Sequence, residues 1–264
     1  MSFLRVIFSA IVLLAMPAIA EHAAVPRIAL IIDDLGYALL AGERAINLPG
    51  PVACAVLPGT PRATHLAEEA YASGKEVLLH LPLQAQSDHD PAEPGGLHLD
   101  MSHAEFTRTF IADIEAVPHA IGVNSHRGSL LTRHPGHMHW LMEEIRKRGD
   151  LFFIDSYTTA ASIALRLAHE TGVPAAKRDV FLDPDQSPET VVREFARLKK
   201  LAQQNGFALG IGHPYPATLA FLEQELPKLR DDGFELISIS ALVALANEKQ
   251  NDNAGREVAA QARK

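Results

Sequence analysis

The chain has 264 residues, 47% of them hydrophobic, enough for one sizeable core, and a single α/β barrel of about 250 residues accounts for that length without a second domain. A formal net charge of −8, with no cluster of lysines and arginines interleaved with aromatics, argues against a nucleic-acid partner, because phosphate binding needs a basic surface. Cys54 is the only cysteine, which excludes an intramolecular disulfide, and its apolar PVACAV setting reads as core packing.

The chain opens on a secretory signal pattern. Arg5 supplies the positive charge, residues 6–16 the apolar stretch, and Ala18-Ile19-Ala20 the small residues that signal peptidase accepts. Cleavage after Ala20 is expected, which makes residues 1–20 a signal peptide. The apolar stretch falls short of the ~20 residues of a spanning helix, so no stable membrane span is expected after cleavage, with an uncleaved anchor as the alternative. The mature protein is expected to be exported, which in a bacterium with two membranes means periplasmic.

From Pro26 onward, short β-type runs alternate with helical patterns. The expected strands are residues 27–32, 52–56, 76–80, 120–123, 151–155, 177–180, 207–211 and 235–238. Most are apolar throughout, as strands of a parallel sheet covered on both faces are. Among the helices between them, Ser102 with Glu105 forms a capping box, and Ser187 before Pro188 caps a helix that starts on proline. Strict alternation predicts a single-domain distorted (β/α) barrel of seven to eight parallel strands over residues 21–246. A doubly wound open sheet is the alternative, since strand order cannot be read from sequence. Residues 84–100, rich in Pro, Gly, Asp and His, read as a loop over the strand-end face. Residues 247–264 are polar and read as a frayed or disordered tail.

Acid or imidazole side chains stand where apolar runs stop: Asp33 and Asp34 after IALII, His80 after EVLL, His126 past AIGV, Asp155 after LFFI, and His213 after ALGIG. In a parallel α/β fold the carboxyl ends of the strands open onto one face, so these residues converge there. Two adjacent carboxylates at the end of a buried strand repel each other, and burial penalises both; a cation is the simplest means of keeping them ionised. Neighbouring residues of an extended chain point to opposite sides, which would let one bind metal and the other act as base. A helix cap is the structural alternative for the Asp pair, and a satisfied core residue the alternative for His80. His126 lies in a dense polar turn with Asn124, Ser125, Arg127 and Ser129. His134, His137 and His139 span a loop and a helix start, a spacing better explained by surface solvation and packing than by a second metal site.

The segments IALIIDDLG, GKEVLLHLPL, AIGVNSHRGSLLT, LFFIDSYTTAAS, KRDVFLD and IGHPYPATL, in that order, resemble the divergent polysaccharide deacetylases, a distant branch of the carbohydrate esterase family 4 deacetylases. The resemblance covers about residues 27–243. It implies a distorted NodB-like barrel, a divalent metal, most often Zn²⁺, and hydrolysis of N-acetyl groups from a polysaccharide. Carried across position by position, it implies Asp33 as general base, Asp34, His80 and His126 as metal ligands, His213 as general acid and Asp155 as the carboxylate that orients a catalytic partner. Asn124, Arg127, Ser129 and Gln84 are the implied substrate contacts. The wider superfamily has a second histidine four residues after the first, where this chain has Gln84. Its arginine motif has no clean counterpart, Arg127 being adjacent to the site and Arg178 the second choice.

The expected protein is therefore an exported, metal-dependent carbohydrate deacetylase acting on an envelope or peptidoglycan-like glycan. One alternative is an inactive barrel that binds a glycan or a protein in the periplasm. Another is a glycosidase using Asp33 and Asp155 as a carboxylate pair.

Overall fold

The computed structural model describes residues 25–86 and 95–261, so the expected signal peptide and the middle of the 84–100 loop lie outside the described residues. The elements in chain order are β1 (Arg27–Leu35), α1 (Leu39–Ile46), β2 (Ala53–Val56), α2 (Ala63–Ala72), β3 (Val77–Leu83), α3 (His103–Ala116) and β4 (Ala120–Arg127). Then come α4 (Pro135–Arg148), β5 (Phe152–Asp155), α5 (Ala164–Thr171), β6 (Ala175–Lys177), β7 (Val180–Phe181) and α6 (Pro188–Asn205). The chain closes with β8 (Phe207–Gly212), α7 (Pro216–Glu225), β9 (Glu235–Leu236) and α8 (Ile239–Gln261). Each expected strand falls on an observed one, the sixth straddling the break between β6 and β7.

All strand pairs are parallel, in the order β6-β5-β4-β3-β2-β1-β8-β7, with the short β9 paired to the start of β1. The two ends of this order are neighbours in the chain. Arg178 N–H donates to Asp155 O beside one edge, and Asp179 N–H to Leu209 O on the other. One run of backbone thus changes partner from β5 to β8 and closes a seam in the curled sheet, giving a barrel rather than an open doubly wound sheet.

Strand alternation sorts the side chains into two layers. Ile28, Leu30 and Ile32 of β1, with Leu79 and Leu81 of β3, face outward into the large core beneath the helices. Ala29, Ile31, Leu78, Ile154, Leu209 and Ile211 face inward, where α8 closes the lower end with Ile239, Leu242 and Val243. Glu76 fixes the start of α8 by accepting from the Ile239 and Ser240 backbone N–H groups. The segment from Asn247, expected to lack order, continues α8 as helix to Gln261, with Asn247 Nδ2 donating to Val243 O. Both expected caps are present: Ser102 and Glu105 close the capping box of α3, and Ser187 Oγ accepts from Thr190 N–H at the head of α6. Among the described residues no helix is long and apolar enough to cross a membrane.

Candidate active site at the carboxyl mouth of the barrel

The same alternation aims the chemistry. Asp33 follows Ala29 and Ile31 on the inward face of β1, His80 follows Leu78 on β3, and His213 follows Leu209 and Ile211 on β8. His126 extends β4 beside Pro82 of β3. Asp34 would point outward in a regular strand, but its φ of +59° puts it in the left-handed region, and the β1–β2 register slips between Ile32 and Leu35. The twist brings Asp34 back over the mouth. The expectation that extended geometry would hold the two aspartates on opposite sides is thereby corrected: both face one site. Arg127 and Tyr157, at the ends of β4 and β5, also have positive φ, so among the described residues three of the four non-glycine residues in this region sit at strand ends around the mouth. Backbone strain of order 1–3 kcal/mol per residue is tolerated where the surroundings fix it and function uses it.

Asp34, His80 and His126 form a triangle. His80 Nε2 lies 3.1 Å from Asp34 Oδ1, His126 Nδ1 lies 3.0 Å from the same oxygen, and the two nitrogens are 3.0 Å apart. Ligands around a four-coordinate zinc with bonds of ~2.0–2.1 Å are about 3.3 Å apart, so small adjustments admit an ion. Asp34 Oδ1 is buried with only these two ring nitrogens in reach and no well-aligned hydrogen bond to either, an arrangement that a cation at the centre of the triangle would satisfy. Two imidazoles and a carboxylate suit zinc and its neighbours in the first transition row. Burial raises the Asp34 carboxyl, but His126 and His80 outweigh it and hold the group well below the carboxylate range.

Asn124, fully buried, sets the arrangement behind the triangle. Its Oδ1 lies 2.9 Å from His80 Nδ1 and its Nδ2 donates to Asp33 Oδ1 at 2.7 Å. With the amide oxygen facing the ring, His80 carries its proton on Nδ1 and turns the Nε2 lone pair to the triangle. Asn124 is thus a positioning residue, where a substrate contact was expected. Asp33, buried beside it, is raised by desolvation against the opposing effects of His80 and His213. A cation nearby would pull it back toward the ionised state.

His213 faces the triangle from the other side, its Nε2 3.7 Å from Asp34 Oδ2. Its Nδ1 lies 2.9 Å from Asp183 Oδ1, and Asp183 Oδ2 accepts from the His213 backbone N–H and from Thr218 Oγ1. Burial lowers the His213 pKa, but Asp183, Asp33 and Asp34 outweigh it and raise it above the ordinary imidazole value.

The carboxylate placed behind His213 is therefore Asp183, and Asp155 lies elsewhere. Asp155 follows outward-facing Phe153 on β5, and its oxygens accept from Tyr157 N–H and Ser162 Oγ, which ties the β5–α5 loop. Sequence reasoning missed Asp183 because its strand is only two residues long; the signal was the apolar VFL run before it. Gln84 and Ser129 are also placed elsewhere. Gln84 Oε1 accepts from Leu99 N–H and Ser129 Oγ from Gln86 N–H, so both pin the 84–100 loop. Arg127 lines the mouth, as expected. Arg178 also reaches it: its Nε and an Nη donate to the Ser156 and Tyr157 carbonyls, and its charge acts on Asp33. Together Asp33, His80, His126, Arg178, Phe181 and His213 line a cavity of about 210 Å³. His137, by contrast, packs against Trp140 and Phe106.

A curled parallel barrel with these residues at its carboxyl mouth is a NodB-like deacetylase barrel. The chain belongs to the divergent polysaccharide deacetylase family, whose sequence model matches residues 30–243. The uncharacterized protein YibQ of Escherichia coli K12 is 36% identical over 245 residues, 93% of this chain and 73% of YibQ. The solved structure of uncharacterized protein ATU2773 from Agrobacterium tumefaciens superposes with a TM-score of 0.79 at 22% identity, covering 84% of this chain and 91% of that one. Peptidoglycan deacetylase PdaC of Bacillus subtilis shares the fold at a TM-score of 0.50 and 14% identity, over 89% of this chain and 98% of that one.

Proposed function

We propose that the protein is an exported metal-dependent hydrolase that removes acyl groups, N-acetyl above all, from an envelope polysaccharide. The observation that carries this reading is the Asp34, His80 and His126 triangle flanked by Asp33 on one side and the Asp183-backed His213 on the other. Asp34, His80 and His126 would hold a divalent ion, most simply Zn²⁺, which when bound supplies Lewis-acid polarisation of the acyl carbonyl and activation of water. Asp33 takes the proton from the attacking water, Asn124 keeps its carboxylate in place, and the charge of Arg178 acts on it through space. His213 Nε2 gives a proton to the departing amine, which is otherwise a very poor leaving group, while Asp183 stabilises the imidazolium. The family, the barrel and the spatial pairing of a buried acid with a backed imidazole all support this division of labour. The glycosidase reading loses its second carboxylate, because the Asp155 oxygens are engaged with Ser162 and Tyr157 away from the mouth.

The first test is metal content by elemental mass spectrometry after zinc is offered, with a His80→Ala/His126→Ala variant beside it. About one equivalent in the wild type, lost in the variant, is expected. Acetate release from N-acetylated glycans should then accompany it, and should fall in His213→Ala while metal content stays. Metal retention with no release from any acetylated glycan would favour a glycan-binding barrel instead.

A further inference from the structure

The β6–β7 seam carries no helix of its own, since only Arg178 and Asp179 separate these strands, and the opening left on the barrel wall is a cavity of about 470 Å³. Lys177, Arg178 and Arg197 line it, with Asp179 and Glu194 as the opposing charges. Neither carboxylate makes a direct ion pair with Lys177 or Arg178, although the Asp179 charge acts on both. Asp179 Oδ2 accepts from Leu209 N–H, and Glu194 is paired with Arg193 and Arg197. Among the described residues Lys177 makes no ion pair or hydrogen bond, and it rests its ammonium 4.2 Å from the centroid of the Tyr157 ring. Arg178 donates only to backbone carbonyls, leaving N–H donors of its planar fork unused. Arg178 and Phe181, packed with the guanidinium 5.0 Å from the ring centroid, border both this groove and the catalytic cavity. Two cations with N–H donors left over and no direct ion pair, on a chain whose net charge is −8, mark a place where an anion finds unused donors, although Asp179 and Asp155 lie near enough to act on both charges.

We propose that the seam groove is a subsite for an anionic substituent of the glycan, a carboxylate or a phosphate, carried on the sugar that presents the acyl group or on its neighbour. This rests on the deacylase reading of the adjoining cavity, and it narrows the substrate from any acetylated polysaccharide to an acidic one. Lys177 and Arg178 bind the anion, and Arg197 screens the outer rim. Because Arg178 also faces Asp33, an anion in the groove is coupled to the base through one guanidinium.

The test is calorimetric binding to the zinc-supplied protein of three probes: uncharged N,N′-diacetylchitobiose, the disaccharide of N-acetylglucosamine and N-acetylmuramic acid, and a phosphorylated N-acetylglucosamine. At least one charged probe should bind about tenfold or more tightly than the neutral one, as expected for a charge-assisted contact, and the preference should shrink with added salt. Lys177→Ala and Lys177→Glu should remove the preference while leaving the neutral probe's affinity unchanged, with Lys177→Ala lowering the thermal midpoint only by the loss of its contact with the Tyr157 ring. The carboxylate and phosphate arms identify which anion is meant. Equal affinity for charged and neutral probes, or a preference that survives Lys177→Glu, would overturn the proposal. The two readings fail separately: acetate release without charge preference retains the hydrolase and rejects the subsite, whereas a Lys177-dependent preference without release does the reverse.

Discussion

At the residue scale, the site depends on side chains that never reach the mouth. Asn124 fixes the ring orientation and tautomer of His80 while holding Asp33. Asn124→Ala should weaken zinc binding by about 10–100-fold, as loss of a partner behind a ligand commonly does, read by competition with a chromophoric chelator. Affinity unchanged within a factor of two would show that packing alone orients His80. Asp113 on α3 offers a different test. It is buried, and desolvation pushes its carboxyl up to about 8. A carboxyl raised in the folded state gives its full stability below its ordinary value near 3.8 and loses it as the pH climbs toward the folded value of about 8. Asp113→Asn should therefore leave the melting temperature nearly unchanged at about pH 4 and raise it relative to wild type at about pH 8, the gap growing by at most about 1.4 kcal/mol per pH unit. A gap that stays constant with pH would show that Asp113 is relieved by a neighbour.

At the element scale, strand ends were legible in the sequence because a buried parallel strand is an apolar run, and a polar residue closing it marks the mouth. Asp33, His80, His126 and His213 were found that way. Asp183 was not, because β7 is too short to show a period, and Asp155 was misassigned because a polar residue at a strand end faces in or out according to a parity that the run length does not display. The left-handed turn at Asp34 was equally hidden, since nothing in the Asp-Asp pair announces which residue leaves the strand. Parity also explains Gly122. It pairs with Phe152 on β5, whose ring lies where a Cβ on Gly122 would go, 2.4 Å from the nearest ring atom. Gly122→Val should destabilise the protein by roughly 1–3 kcal/mol, measured by urea unfolding, because the ring must leave the barrel interior. A loss no greater than that of an exposed substitution would mean that β4 and β5 can slide apart at little cost.

At the scale of the whole molecule, eight strands in alternation announced the barrel, but not how it closes. The pattern at 177–180 read as one strand, whereas that stretch carries the change of partner between the two edges. The closure of the lower end was not read from the sequence, where Ile239, Leu242 and Val243 fall inside the expected domain without a role assigned to them. These three fill the barrel floor. Leu242→Ala should cost about 2–5 kcal/mol in chemical denaturation, as a cavity in a closed core does, and a loss below about 1 kcal/mol would show that the floor collapses to fill the space.

The pairing of β1 with β8, Arg27 against Phe207 through Ile32 against Gly212, has a consequence in time. The first of the described strands to leave the ribosome has a partner near the far end of the chain. Asp33 and Asp34 wait on an exposed, apolar strand until His213 has emerged behind β8. Loop closure across so long a separation is slow, and an unpaired strand edge is a point of aggregation meanwhile. The constellation at the mouth thus comes together late in folding, and any chain stopped before β8 lacks both a partner of β1 and the imidazole opposite Asp33 and Asp34.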